Sequence, residues 1–397
     1  MKIVCTTLFG LEKPTKDDLL SIGYDSSQIN VTDGVVTLSV PDDSWKEDLA
    51  RVNMWLRHAE RVFFLVGEFD SDTFEAFFEN VKKLDWNYFI PKDYAFIVNG
   101  FSRKSKLYGI SALQSLTKKA IVDNLKQSRG LETDIAEDPD KGTVRIQFGI
   151  VDDHVRMMID SSGAGLHKRG YRPLTHEAPI RETLASAMVH IAHFKPFGYE
   201  ALYDPFCGSG TIVIEAAMTA LNIAPGKLRS FSYTDLPYIG GQPYRKALDE
   251  ALDLEDLSPM DDCFFFGSDI DPKAIESSMR NAKSAGVDKF VRFRVSDFNR
   301  LPPDVLAKTT GFDRNLVITN PPYGGRLMTP EEADKIYQRI AKAYLTRDGR
   351  CKKGIRLSVI SPDDTFEKAT GFKADKRYKL YNGNIKCQLN NYFKLGE

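Results

Sequence analysis

The 397-residue chain carries 54 basic against 55 acidic side chains, a formal charge of −1, with 42% hydrophobic and 27% charged residues. That balance excludes general disorder and a global positive field for nucleic acid, leaves only local basic patches, and gives length for two or three compact domains. Five scattered cysteines (Cys5, Cys207, Cys263, Cys351, Cys387) without a C-x-x-C pair argue against a zinc site and a disulfide framework, and with no signal-like N-terminus and no apolar run of about 18 residues the expectation is a cytoplasmic protein without a membrane segment or a bound metal.

From Met1 to about residue 160 short strands alternate with amphipathic helices. KIVCTT reads as a strand, KPTKDDLLSIG as a helix, and INVTDGVVTLSV as a hairpin turning at Asp33-Gly34. A second α+β unit is nested in the first: RVFFLVGEF is a strand, SDTFEAFFENVKKL a helix capped by Ser71 or Asp72, and YAFIVNGF another strand. The next helix begins near Ser111. Across Ser102 to Arg129, the basic residues Arg103, Lys104, Lys106, Lys118, Lys119, Lys126 and Arg129 face only Asp123 in sequence, with Phe101 and Tyr108 interleaved. Such a run is either a phosphate-binding strip or a solvated helix surface. TVRIQFGIVDDHVRMMID then forms a hairpin around Asp152-Asp153. SSGAGLHKRGYRPLTHEAP, which follows, has glycines and prolines but no periodicity, so the main domain boundary falls there. Within it His167, Lys168, Arg169 and Arg172 either touch phosphates or form a solvated linker.

Beyond residue 160 the rhythm becomes strand, glycine-rich turn, helix, strand, the pattern of a mostly parallel sheet covered by helices. The strands are ALYD, CFFFGSD, VRFRVSD, LVITN and IRLSVIS, and Pro179, Pro272 and Pro330 each open a helix at its first turn. RYKLYNGNIKCQLNNYF holds two strands joined at Asn382-Gly383, a hairpin expected to finish the sheet with an antiparallel edge. Residues 225–262 interrupt the alternation and read as an insertion.

Four strand ends carry the chemistry. Asp204-Pro205-Phe206-Cys207-Gly208-Ser209-Gly210-Thr211 links a strand to a helix, where glycines let a ligand approach the backbone and the helix N-terminus offers N–H groups. Ser268-Asp269-Ile270-Asp271 ends the next strand; Asp269 suits a ribose diol, whereas Asp271 suits the N-cap of the helix opened by Pro272. Val295-Ser296-Asp297-Phe298 ends a third, where Asp297 is either an acceptor for an adenine amino group or a turn former. The fourth, Thr319-Asn320-Pro321-Pro322-Tyr323-Gly324, is the most specific: two prolines fix the backbone so that the Asn320 amide oxygen and the Pro321 carbonyl point at one planar NH2 group, while Tyr323 stacks on its ring. An amine held this way needs neither a leaving-group acid nor a strong base, so His154, His167, His176, His190 and His193 have no necessary catalytic part, and His190 and His193 read as packed or surface residues. Gly208-Ser209-Gly210 lacks the third glycine of a dinucleotide fingerprint, which disfavours a dehydrogenase.

DPFCGSGT, SDID, SDF and NPPY, in this order, resemble the motifs of class I S-adenosylmethionine-dependent methyltransferases acting on exocyclic amines. With the N-terminal α+β unit, FSRKSKLYG, HKRGYR and KLYNG, essentially the whole chain resembles the bacterial THUMP-domain RNA methyltransferases of the RlmL/YpsC group, whose named activity is guanine-N2 methylation of large-subunit ribosomal RNA. The resemblance implies an α/β architecture: a Rossmann-like methyltransferase domain over residues 161–397, preceded over 1–160 by a ferredoxin-like and THUMP RNA-binding module with THUMP at about 45–155. It implies that Asp204, Phe206, Gly208 and Gly210 line the methionine part of S-adenosyl-L-methionine, that Asp269 with Ile270 beside it meets the ribose, Asp297 and Phe298 the adenine, and that Asn320, Pro321, Pro322 and Tyr323 hold the target base. RNA, and 23S rRNA in particular, is the expected partner, gripped by Arg103, Lys104, Lys106, Lys118, Lys119, Lys168 and Arg169. Two other readings remain: an adenine-N6 methyltransferase, since NPPY reads an amine and not a ring, and a non-catalytic ribosome-assembly factor, against which the intact Asn320 and glycines argue.

Overall fold

The computed structural model describes residues 1–133, 135–172, 180–196, 199–258, 264–323 and 329–396; His176, Pro179, Cys263 and Gly324 lie outside them. The first sheet contains β1 (Lys2–Thr7), β2 (Ile29–Thr32), β3 (Val35–Ser39), β4 (Ala59–Asp70), β5 (Tyr94–Arg103), β6 (Asp138–Val151) and β7 (His154–Asp160), in the order β2-β3-β1-β4-β7-β6-β5. The twelve-residue β4 pairs with β1 along its first half and with β7 along its second, so one strand carries the sheet from the first α+β unit into the nested one. Asp33-Gly34 turns β2 into β3 as expected, and Asp152 and Asp153 turn β6 into β7 with φ of 51° and 63°. Both conformations are left-handed ones that Asp tolerates because its short side chain bonds the local backbone.

Helices α1 (Glu12–Ser21), α2 (Trp45–Trp55), α3 (Phe74–Lys82), α4 (Trp86–Phe89) and α5 (Ile110–Arg129) accompany this sheet. The cap of α3 is Thr73, whose hydroxyl accepts from the Ala76 amide at 3.2 Å, not Ser71 or Asp72. Ser71 instead donates its hydroxyl to the Thr73 carbonyl, and Asp72 pairs with Lys106.

The second sheet contains β8 (Ala201–Asp204), β9 (Phe265–Asp269), β10 (Val291–Val295), β11 (Asn315–Thr319), β12 (Ile355–Pro362), β13 (Lys376–Asn382) and β14 (Ile385–Tyr392), ordered β10-β9-β8-β11-β12-β14-β13. β8 to β12 are mutually parallel; the apolar runs of β8, β11 and β12 are what burial on both faces requires, whereas β10, VRFRV, is the more exposed edge. The C-terminal hairpin finishes the sheet with an antiparallel edge as expected: β14 lies antiparallel against β12, and β13 is the edge. Of the two hairpin strands β14 is the interior one, and it carries the buried Cys387, Leu389 and Tyr392. Helices α6 (Glu182–Ile191), α7 (Thr211–Ala220), α8 (Gln242–Asp253), α9 (Pro272–Ala285), α10 (Pro303–Thr310), α11 (Pro330–Tyr344) and α12 (Thr365–Thr370) follow in chain order, all but α8 packing with this half. One buried cluster joins α6, α7 and α9 to one face of the sheet, and another joins α10, α11 and α12 to the opposite face. β8 and β11 are neighbours although the chain leaves β8 toward β9 and returns from β10 to β11. Their C-terminal ends thus flank the switch point where open α/β sheets bind ligands.

The segment read as an insertion does not pack with the methyltransferase strands. Phe231, Tyr233, Leu236, Ile239, Ala247 and Ala251 join the buried cluster of the first sheet, each large side chain there contributing about 1.5–3 kcal/mol. Arg51 binds Glu250 at 2.8 Å, Tyr94 donates to the Asp235 carbonyl at 3.1 Å, and the Gly226 amide donates to the Met54 carbonyl at 2.9 Å. The two halves of the molecule are strapped together by this excursion.

Candidate active site

The loop after β8 adopts its shape for two different reasons. Gly208 has φ of +50° with open space where a Cβ would sit, whereas a Cβ on Gly210, at φ +82°, would come within 2.9 Å of both the Phe293 ring and Ser278. Gly210 is demanded by packing; Gly208 leaves room for a ligand. No side chain caps the N-terminus of α7, so its first N–H groups remain available.

Asp204 is buried beneath this loop. It accepts from the Thr319 hydroxyl at 2.8 Å and the Phe206 amide at 3.1 Å, which ties the end of β8 to the end of β11. Burial pushes its carboxyl up to about 7 despite those two donors. Asp269 accepts from the Gly208 amide and from the Asp271 amide, each at 3.0 Å, and so holds the glycine loop against the end of β9. Asp271 is the N-cap of α9, accepting from the Lys273 amide at 2.9 Å, as its sequence position suggested. Ile270 beside them is exposed. Burial drives the Cys207 thiol well above its usual range, which leaves it without thiolate chemistry.

At the end of β10, Asp297 caps a short turn through the Asn299 amide at 3.0 Å and pairs with Arg339 of α11 at 3.0 Å. Phe298 is buried, with its ring 5.1 Å from that of Phe206 and the Arg339 guanidinium 5.2 Å above it. Both aromatic residues thus form the floor below the strand ends.

At the end of β11 the decisive atom is Asn320 Oδ1. It is buried and has no hydrogen-bond partner among the described residues. A buried carbonyl oxygen left unpaired costs about 1–3 kcal/mol, which a native fold tolerates where a ligand supplies the donor. Pro321 is buried and Pro322 and Tyr323 half-buried beside it. The Tyr323 hydroxyl accepts from the Asn382 amide at 2.6 Å, and burial pushes this phenol up to about 12, so it stays neutral. Three residues that sequence reasoning left without a site role therefore shape the site: Thr319 orients Asp204, Arg339 answers Asp297, and Asn382 anchors Tyr323. Asn382 was legible only as a turn residue.

The basic candidates are not all where they were expected. Arg169 is buried, 1% exposed: it pairs with Glu215 at 3.3 Å and donates to the carbonyls of Leu166 and Arg57. It cannot reach a phosphate without leaving a fully buried carboxylate unpaired. Arg172 is likewise engaged with Glu182 and Thr211, each at 3.0 Å. Of the linker cations, Lys168 is exposed, whereas half-buried His167 meets Glu60 at 3.5 Å. The strip from Arg103 to Arg129 is one-signed in sequence only: Lys106 pairs with Asp72 at 2.8 Å and Lys118 with Glu137 at 3.2 Å. Lys104 and Lys119 are exposed, with Lys119 lying over the Phe78 ring, and Arg103 is half-buried.

Three family models match the chain: an RlmL ferredoxin-like domain over residues 2–63, a THUMP domain over 71–160, and an RMKL-like methyltransferase domain over 169–391. The chain belongs to the RlmL-like family of THUMP-domain methyltransferases. It is 34% identical to a Bacillus subtilis protein named RNA methyltransferase YpsC, over 98% of this chain and 95% of that one. It is 29% identical to the ribosomal RNA large subunit methyltransferase K/L of Vibrio parahaemolyticus over 98% of its own length, and spans only 53% of that relative. Among solved structures it resembles a possible methylase of Clostridium difficile (TM-score 0.87, 34% identity, 100% and 98% of the two chains) and SMU.472 complexed with SAH (0.85, 32%, 100% and 98%). A Listeria monocytogenes protein named as an N6-adenine-specific DNA methylase is equally similar (0.85, 34%, 99% and 96%). The family is S-adenosylmethionine-dependent, and the residues here fit that cofactor: open space at Gly208, an uncapped α7, and Asp269 at the adjoining strand end. Among the described residues no cluster of metal-ligating side chains occurs, and no helix is long and apolar enough to cross a membrane.

Proposed function

We propose that the protein methylates the exocyclic N2 amine of a guanine in large-subunit 23S ribosomal RNA. The observation that carries the chemical half of this reading is the orphaned, buried Asn320 Oδ1 at the sheet's switch point. An NH2 group supplies two donors in one plane, which suits that oxygen and the Pro321 carbonyl. The nitrogen lone pair of a base amine is delocalised into the ring; two acceptors orient the group and stabilise charge as it builds on nitrogen, while Tyr323 holds the ring face. The bound cofactor supplies an electrophilic methyl on a sulfonium. Gly208, Asp269 and the α7 N-terminus hold its polar parts, with Asp204 and Phe206 beneath, and Asp297 with Phe298 borders the adenine side. The substrate half rests on the THUMP match and on the rRNA methyltransferase names of the relatives. On this reading residues 1–160 grip the RNA, with Lys104, Lys119 and Lys168 as exposed phosphate contacts, and residues 161–397 carry the reaction.

The test is nucleoside mass spectrometry of ribosomal RNA from a strain lacking the chain, before and after incubation with the purified protein and S-adenosylmethionine. Appearance of N2-methylguanosine at a large-subunit site supports the reading; N6-methyladenosine would replace it with the adenine reading, which the name of the Listeria relative favours.

A further inference from the structure

The helices α1, α2, α3 and α5 lie with the buried cluster on one face of the first sheet. The other face has a separate small cluster, Val4, Phe63 and Met158 with Val35 and Leu65, whose members all come from strands. Strand register fixes which residues share it. Phe101 stands beside Gly149, and Gly149 beside Arg156; Asn99 stands beside Gln147, and Gln147 beside Met158; Ile97 stands beside Arg145. Neighbours in a row are about 5 Å apart, and successive rows about 7 Å apart along the strands. Phe101 and Ile97 are each 39% exposed, and Asn99 and Arg145 are exposed as well.

The missing side chain at Gly149 explains the aromatic ring. A Cβ there would lie 3.0 Å from the Phe101 ring and 3.5 Å from the Met158 methyl, so the partly exposed ring and that methyl both border the space the glycine leaves open. Glu68 stands beside Arg156 in register and meets it at 3.8 Å while also pairing with Lys2 and His154, Asp160 at the end of β7 is tied to Arg61 at 2.5 Å, and Arg145 has no ion-pair partner among the described residues. At the Arg145 end the face opens into a cleft of about 890 Å³ walled by Asp140 and Lys141 of β6, by residues 162–164 of the linker, and by Ser230, Ser232 and Asp235 of the insertion.

We propose that this open face is a platform for a single-stranded RNA segment, with one base stacked on Phe101, base edges met by Asn99 and Gln147, phosphates by Arg145 and Arg156, and the strand leading into the cleft. An exposed ring, amides and arginines spaced on a pleated face match the requirements of unpaired bases, whereas a duplex would present only phosphate and sugar to them. The proposal rests on the RNA reading above and adds the place and the single-stranded state of the RNA.

The test uses the full chain, with Phe101→Ala, Arg145→Glu, and a control reversing Lys104 and Lys119, binding fluorescent single-stranded and duplex RNA oligonucleotides. Phe101→Ala is expected to weaken single-strand binding on the order of tenfold to a hundredfold and leave duplex binding within a few-fold. Arg145→Glu should make the log-log salt slope shallower by about 0.7. Thermal unfolding and SAH affinity, unchanged, show that the variants are folded. Unaltered single-strand affinity in both overturns the platform, and so does a wild-type dimer that Phe101→Ala dissociates without changing RNA affinity, which would make β5 an interface between copies. Methyl transfer to deproteinised rRNA by the wild type is read separately, so failure of the platform and failure of the RNA reading give different results.

Discussion

The strand ends of the second sheet and the basic strip beside the first were both legible as motifs, yet they fared differently in three dimensions. Asp204, Gly208, Asp269 and Asn320 sit at the ends of β8, β9 and β11, and a parallel sheet delivers those ends to one edge whatever the intervening loops do. The strip had no such guarantee. Its cations lie on a strand end, a loop and a helix, and residues far away in sequence, Asp72 and Glu137, come to neutralise two of them. A charge pattern along the chain predicts a field only when the acids of the neighbouring elements are known; a strand-end pattern carries its own geometry.

The contrast is sharpest at Arg169, grouped by sequence with Lys168. Arg169→Ala leaves Glu215 buried without its counter-charge, so we expect a loss of about 3–5 kcal/mol in urea unfolding, whereas Lys168→Ala leaves stability unchanged. Equal stability of the two variants would return Arg169 to the surface. At the strand ends, Asn320→Ala is expected to cut the methyl-transfer rate more than about 100-fold while calorimetric cofactor affinity stays within a few-fold; near-normal turnover would sink the amine clamp. Asp269→Ala should weaken cofactor binding by about 1.5–3 kcal/mol, through loss of a charged acceptor, whereas Asp271→Ala removes a helix cap worth about 1 kcal/mol of stability and leaves affinity alone.

Asp204 adds a pH readout. Its carboxyl is held near 7 in the fold and lies near 3.8 when unfolded, so the folded protein binds a proton more tightly across that window. Stability relative to Asp204→Asn should therefore fall as pH rises from about 4 through 7, by up to about 1.4 kcal/mol per unit. A flat difference would mean that Asp204 is ionised throughout. The smallest effect belongs to the strip: reversing Lys104 and Lys119 should make the salt slope of RNA binding shallower by up to about 0.7 per lost contact, and more than reversing Lys106 and Lys118, whose charges Asp72 and Glu137 already answer. The opposite ranking would show that those pairs open to admit RNA.

Sequence by itself determined the element types, the hairpins at Asp33-Gly34 and Asp152-Asp153, which segments form the mostly parallel sheet, the Asp271 cap and the four strand-end motifs. These are local: period, turn chemistry and capping act over a few residues, and strand ends inherit their placement from the sheet. Tertiary structure alone decided the rest. It set β14 inside the sheet, against β12. It folded residues 225–258 onto the N-terminal module instead of leaving them as an idle excursion. It brought Thr319 to Asp204, Arg339 to Asp297 and Asn382 to Tyr323 across separations of 115, 42 and 59 residues. No periodicity records such pairs, since a hydrogen bond between distant residues is selected by where whole elements pack, and packing is a property of the summed buried surface and not of any segment's own sequence.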